Sequence, residues 1–385
     1  MNKLNIIFVC AEYPYDNRSK GGFGTYVQHL SEELIKSGHL VTILCQGQKT
    51  KIIVRGNLEI RILSGADKRI SNSEMPIIQR LIFFLRYPIL FSFLVWRELR
   101  YLQRIRQIDI VEGGDFGAEL FFYLLLGKTS STKTVIKLHT PSFIIRQYNN
   151  EPNSLFYLCM ESLEKYCLTH CDKVYSPTKN LAQIISKKYG LIVSTIIPYP
   201  VEQINKKLRI KRNEKLVLYA GKIQRKKGVY ILTEAIPLVL AVHPRAKFIF
   251  VGGDTLSHGL SAQKLLINII RKNNLDKSIN ILPAVTKLEL YKMFQKAAIT
   301  VIPSLWENFP NVLLEASIFG SAVIASRVGG IPEMIKQGKT GILVPPQDPQ
   351  AVANAISKLL FFSSIRNKLS REAKKSIITR YNSKK

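Results

Sequence analysis

Four groups of residues in this chain have types and spacings that can do chemistry. The strongest is Gly221-Lys-Ile-Gln-Arg-Lys-Lys-Gly228, which gathers Lys222, Arg225, Lys226 and Lys227 between a strand pattern and a helix pattern. A helix start is already partly positive, so cations collected there make electrostatic sense when an anion such as phosphate joins them. A solvated basic loop is the plainer alternative, and the run lacks the Gly-Lys-Ser/Thr of a Walker loop. The second group is Pro303-Ser-Leu-Trp-Glu-Asn-Phe-Pro-Asn-Val-Leu-Leu-Glu-Ala316. Asn308 can cap a helix and Pro310 is tolerated in its first turn, which puts Glu307 on a loop and Glu315 inside the helix. Along a continuous helix the two carboxylates would stand roughly 12 Å apart, too far for the acid and nucleophile of a hydrolase. That separation suits gripping two parts of one long ligand. The third candidate is His139, at the carboxyl end of Thr134-Val-Ile-Lys-Leu138 and followed by Thr140-Pro141, a site residue or a structural histidine in equal measure. The fourth is Gly21-Gly-Phe-Gly24 ahead of a helix, which either lets backbone approach a ligand or only permits a turn. The other histidines lack metal-ligand spacing, and the chain contains no Asp-x-Asp to hold a divalent ion against a diphosphate, so no metal is expected.

The elements that position these residues alternate from end to end. Ile6–Cys10 is a continuous apolar run of the kind buried on both faces of a parallel sheet. A helix over Tyr26–Lys36 closes near Gly38, and strands follow at Val41–Cys45, Leu58–Leu63, Asp109–Glu112, Thr134–Leu138 and Lys173–Ser176. A polar, basic stretch, Asn205–Lys215, reads as a linker. The alternation restarts with strands at Leu216–Ala220, Lys247–Val251, Ala297–Ile302, Ala322–Ala325 and Gly341–Val344. Two such series predict an α/β chain with two Rossmann-like, doubly wound domains facing across a cleft, residues 1–200 and 201–385. At 385 residues the chain is long enough for two cores. No apolar run reaches the ~18 residues that span a bilayer. Five cysteines, with no Cys-x-x-Cys, point away from a disulfide framework and towards a cytoplasmic setting.

The order and spacing of these pieces, with Gly329-Gly-Ile-Pro-Glu333 and Gly341-Ile-Leu-Val-Pro345, resemble the retaining glycosyltransferases of family 4, which have the GT-B fold. The resemblance runs over nearly the whole chain. It implies that residues 1–200 form the acceptor side and residues 201–385, with C-terminal helices, the nucleotide-sugar side. By position, Lys222 and Lys227 would hold the donor diphosphate and Glu315 the ribose hydroxyls. Glu307 and the segment Asn308, Phe309, Pro310 and Asn311 would grip the donor sugar. His139 would contact that sugar from the other domain, and Gly22 and Gly221 would border the diphosphate. The implied reaction is front-face transfer with retention, independent of metal and of any cofactor, moving a hexosyl or N-acetylhexosaminyl group. The donor would be a UDP-, GDP- or ADP-sugar and the acceptor a glycan or lipid-linked glycan, in cell-surface polysaccharide or glycolipid synthesis. Three departures stand out. Lys222 replaces the family's usual arginine, Leu282-Pro-Ala-Val285 lacks an expected glycine, and the chain ends at Lys385 without the helix that usually crosses back.

Two other readings compete. One is a sugar-nucleotide epimerase or glycan phosphorylase on the same fold. The other is a nucleic-acid-binding protein, suggested by a net charge of +29, of which residues after 200 carry 31 basic against 11 acidic side chains. No nucleic-acid-binding motif supports the latter, so no nucleic acid partner is expected. Residues 76–106 hold six arginines and one acid, Glu98, among seven aromatic residues. They read equally as core helices or as a segment that rests on an anionic membrane at the inner face of the cell membrane. Lys222 and Lys227 both read as surface-loop residues that can be replaced without loss of folding.

Overall fold

The computed structural model describes residues 3–15, 22–64, 86–150, 155–200, 210–257 and 260–381. The chain divides into two compact units, Met1–Pro200 and Val201–Lys385. The first is built on β1 (Asn5–Val9), β2 (Leu40–Gln46), β3 (Lys51–Arg55), β4 (Leu58–Leu63), β5 (Ile110–Gly114), β6 (Lys133–Lys137), β7 (Lys173–Ser176) and β8 (Thr195–Ile196). Their order in the sheet is β3-β4-β2-β1-β5-β6-β7-β8. β1 lies between β2 and β5 with all five residues buried, and all but Asn5 belong to the apolar run Ile6–Cys10. The strand Lys51-Ile-Ile-Val-Arg55 was not expected. It pairs antiparallel with β4 at the sheet edge and leaves Ile52 and Val54 exposed, flanked by charged residues that blunt the open edge.

The first helix, Gly22–Lys36, starts one turn earlier than its apolar spacing implies. Of the expected helical stretch 76–106, residues 76–85 lie outside the described residues, as do Gly21 and residues 205–209 of the expected linker. A wide turn at Arg86–Leu90, containing Pro88, leads into the helix Phe91–Ile105. That helix buries Phe91, Val95, Leu99 and Leu102 and packs on the helix Phe121–Leu126. Its outer face exposes Phe93, Arg97, Arg100, Tyr101, Arg104 and Ile105.

The second unit contains β9 (Asn213–Ala220), β10 (Lys247–Val251), a short antiparallel pair β11 (Leu256–Ser257) and β12 (Leu260–Ser261), then β13 (Ile279–Leu282), β14 (Ala297–Ile302), β15 (Ala322–Ser326) and β16 (Ile342–Val344). Its main sheet runs β13-β10-β9-β14-β15-β16, all parallel. β9 begins at Asn213, inside the expected linker, because its first three residues are polar and exposed although the strand has started. Val217, Phe248, Phe250, Ile299 and Ile324 of this sheet pack with Leu232 and Ile236 from the helix Val229–Val242 and with Ile356 and Leu359 from the helix Pro349–Phe361. Burying each such side chain contributes about 1.5–3 kcal/mol before the entropy of ordering it is counted. The C-terminal helix Ser363–Arg380 packs on the helix Asn311–Ile318 of the same unit.

In both sheets the chain winds outward on one side and then restarts on the other. The reversal falls between β1 and β5 in the first sheet and between β9 and β14 in the second. Open α/β sheets take ligands beyond the carboxyl ends of their strands at such reversals.

Candidate functional site

In the second unit the loops at the reversal are 221–228 after β9 and 303–310 after β14, with 327–330 following β15 beside them. Backbone bonds tie the three together. The N–H of Leu305 donates to the Lys226 carbonyl at 2.8 Å, and that of Gly330 donates to the Glu307 carbonyl at 2.9 Å. Gly228 (φ +67°) and Gly329 (φ +53°) make this approach possible. A Cβ at Gly228 would lie 1.8 Å from the Pro303 carbonyl oxygen, and one at Gly329 would lie 1.9 Å from that of Glu307. Only glycine meets both the left-handed backbone and the contact.

These ties converge the charges. Lys227 Nζ donates to Glu307 Oε1 at 2.6 Å, and Ser304 Oγ donates to the same oxygen at 2.9 Å. Glu307 is buried, which works to raise its carboxyl, yet Lys227, Lys226 and the Ser304 bond outweigh burial and hold it below the ordinary range. Lys226 is buried with Nζ 5.4 Å from the centre of the Trp306 ring. Burial, then repulsion from Lys227 and Lys222, pulls its ammonium down to about 8 against the pull of Glu307. Lys222 and Arg225 are exposed on the same loop. Three lysines near enough to affect one another thus meet one buried carboxylate, and the surplus is positive. A phosphate fits that surplus.

Lys227 is therefore an ion-pair partner of a buried carboxylate as well as a loop residue, so its removal is expected to cost stability. Asn308 does not cap the following helix. Its neighbour Glu307 gives its carbonyl to Gly330, Pro310 is extended (ψ 116°), and the helix starts at Asn311. Asn308, Phe309 and Pro310 are buried, and the Phe309 ring packs edge-on against Tyr381 at 5.2 Å. Glu315 stands half-buried in that helix, and Gly221 closes onto β10 through a bond from its N–H to the Val251 carbonyl at 2.9 Å.

In the first unit His139 follows β6. Its N–H donates to Asp115 Oδ1 at 2.9 Å, the Phe23 ring lies 4.1 Å away, and the Tyr199 hydroxyl meets its Nδ1. Gly22 is the exposed first residue of the helix that carries Phe23. Below His139 is a network that sequence reasoning missed. Lys137, the last residue of β6, is fully buried, with Nζ 3.8, 4.6 and 4.9 Å from the ring centres of Tyr26, Tyr175 and Tyr199. Burial pulls its ammonium down to about 7 despite the attraction of Glu112. The Tyr26 hydroxyl donates to Glu112 at 3.0 Å and lies 2.8 Å from that of Tyr175. Buried Glu164 accepts from Ser142 N–H at 3.0 Å and Gly117 N–H at 3.2 Å, bracing the loops after β5 and β6. The visible signal was a lysine between Ile136 and Leu138, at the apolar end of β6.

Two family models match in tandem: Glycosyltransferase Family 4 over residues 20–202 and Glycosyl transferases group 1 over residues 200–376. The chain belongs to glycosyltransferase family 4. A D-inositol 3-phosphate glycosyltransferase of Corynebacterium urealyticum is 31% identical over 160 residues, 41% of this family 4 chain and 38% of the relative. The matched stretches thus span about two fifths of the length of the curated relatives. Sucrose-phosphate synthase from Thermosynechococcus elongatus shares the fold, with a TM-score of 0.79 at 20% identity over 99% of this chain and 95% of that one. So does HepE of Anabaena, solved with UDP, with a TM-score of 0.67 at 15% identity over 98% and 96% of the two chains. Two Rossmann-like α/β units are the layout of these GT-B proteins.

Proposed function

We propose that this family 4 protein transfers a hexosyl or N-acetylhexosaminyl group from a nucleoside diphosphate sugar to a glycan or lipid-linked acceptor, with retention and without a metal. The observation that carries the reading is the lysine surplus around Glu307 at the reversal of the second sheet. When the bond between the anomeric carbon and the diphosphate breaks, its electron pair goes to the departing oxygen. Lys222 and Lys227 would neutralise that oxygen, and the acceptor hydroxyl, attacking the anomeric carbon from the same face, would pass its proton to it. Glu307 orients Lys227 through their ion pair, Glu315 takes the ribose hydroxyls, and His139 contacts the sugar. UDP is the first nucleotide to try, because the structural relative HepE was solved with it.

The test is a thermal-shift panel of UDP-, GDP- and ADP-glucose, followed by turnover of whichever donor raises the melting temperature most. Turnover is expected to persist in EDTA. Activity that disappears in EDTA and returns with manganese in single-turnover measurement would refute the leaving-group role of the lysines.

The helix Phe91–Ile105 gives its apolar side to the core, and its outer face joins three arginines to Phe93, Tyr101 and Ile105. Among the described residues no helix is long and apolar enough to cross a membrane. This face is proposed to rest on anionic lipid, where a lipid-linked acceptor would be presented. Flotation with anionic liposomes at low salt checks it, and protein left at the bottom of the gradient contradicts it.

A further inference from the structure

The network below His139 does more than fill a core. The histidine is fixed at its backbone by Asp115 Oδ1, on its ring by Phe23 at 4.1 Å and Tyr26 at 5.7 Å, and at Nδ1 by the Tyr199 hydroxyl. Tyr199 is itself buried and lies against the Lys137 ammonium, whose Nζ also donates to the Ile197 carbonyl at 3.3 Å, two residues before Tyr199. We propose that Tyr199 is a positioning residue that holds His139 in its Nε2–H tautomer, with Lys137 fixing the tyrosine in turn.

The direction of the bond follows from the two groups. A phenol O–H is a better donor than an imidazole N–H, and an unprotonated imidazole nitrogen is a better acceptor than a phenol oxygen. The phenol therefore donates to Nδ1, and the ring proton sits on Nε2. Both groups are in the required neutral state. Burial and the Lys137 charge hold the imidazole well below its ordinary value, and burial with the Asp115 charge holds the phenol well above its own. The consequence is a histidine that offers a hydrogen-bond donor, the form that suits a sugar hydroxyl oxygen. A cation at this position would suit the neighbourhood poorly, because Lys137 already supplies positive charge.

This inference rests on the reading of His139 as a sugar contact, so its test separates the two. Protein labelled with 15N-histidine is read by long-range proton–nitrogen correlation, and the His139 signal is assigned by its loss in His139→Gln. In the parent protein the ring proton is expected on Nε2, with Nδ1 showing a hydrogen-bonded acceptor shift. A proton on Nδ1 overturns the proposal whatever the protein's activity. Tyr199→Phe keeps the ring over Lys137 and removes only the O–H. With the donor among UDP-, GDP- and ADP-glucose that binds, it should lower kcat about 10-fold, the loss of one net hydrogen bond, while KM stays within about twofold. The acceptor shift at Nδ1 should vanish in the same variant. Unchanged kcat in a folded Tyr199→Phe overturns the positioning role. If His139→Gln also keeps parent activity, the sugar-contact reading falls with it.

Discussion

Each unit buries a lysine beside the end of a strand, and the two solve the problem differently. Lys137 is wrapped by three tyrosine faces, and Glu112 attracts it while accepting hydrogen bonds from two of them, Tyr26 and Tyr175. Lys226 has one aromatic face, Trp306, and shares Glu307 with Lys227 and the repulsion of Lys222. The first arrangement is close to balanced within itself: one cation, one carboxylate and a closed set of aromatic partners. The second is not. It holds more positive charge than its carboxylate can offset, and two of its cations reach solvent. The balanced network fits a support, and the unbalanced one fits a site that waits for an anion.

The sharpest way to break this contrast is Lys227→Ala. It removes a preorganised donor, so turnover should fall by on the order of 10²-fold or more. It also takes the ion-pair partner from buried Glu307, leaving only Ser304 and Lys226 beside it, so unfolding free energy should drop by about 1–3 kcal/mol. Single-turnover kinetics read beside a melting curve separate the two. A folded variant at parent rate would make the loop an ordinary basic surface.

Gly329→Ala should act next. Its Cβ would press the Glu307 carbonyl from a left-handed backbone, at about 1–3 kcal/mol for the conformation alone. Loss of stability in denaturant titration should come with loss of nucleotide binding, because the clash displaces the neighbouring loop that carries Glu307. Intact stability would mean that the three loops are not locked.

A smaller effect compares the lysines through pH. Lys137 titrates near 7 and Lys226 near 8 when folded, both below the unfolded value of about 10.4. The unfolded chain therefore keeps a proton that the folded chain has shed, and each group makes stability rise with pH from its folded value up to about 10.4. Relative to the parent, Lys137→Met should flatten that rise from about pH 7, and Lys226→Met only from about pH 8. Denaturation midpoints across pH 6–10 check the order, and identical curves for the two variants would contradict it. The smallest change is Lys222→Arg, which keeps or improves turnover because a guanidinium can hold a diphosphate with two parallel bonds. A clear loss in donor kinetics would show that Lys222 does not face the phosphates.

What could be read from sequence was local. β1 declares itself because five consecutive residues are buried, and the basic loop and Glu307 declare themselves because each lies within a few residues of its strand. The cage did not, since Tyr26 meets Glu112 across 86 residues and Tyr175 across 149. Nor did the burial of Lys226, because nothing in a run of loop lysines marks the one that Trp306 will cover. The helix start was misread at Asn308 because Pro310 is extended (ψ 116°), so the helix begins only at Asn311. The edge strand β3 was missed because its apolar residues face solvent and leave no alternation of buried and exposed positions.

The lysines around Glu307 are proposed to hold a diphosphate. The most direct test compares the melting temperature of the full chain with UDP, GDP or ADP against the matching nucleoside, in the parent and in the double variant Lys222→Ala/Lys227→Ala. At least one nucleoside diphosphate should stabilise the parent well above its nucleoside, and the difference should vanish in the double variant even where that variant remains folded. A nucleoside that stabilises as strongly as its diphosphate, or a difference that survives loss of both lysines, would contradict the account.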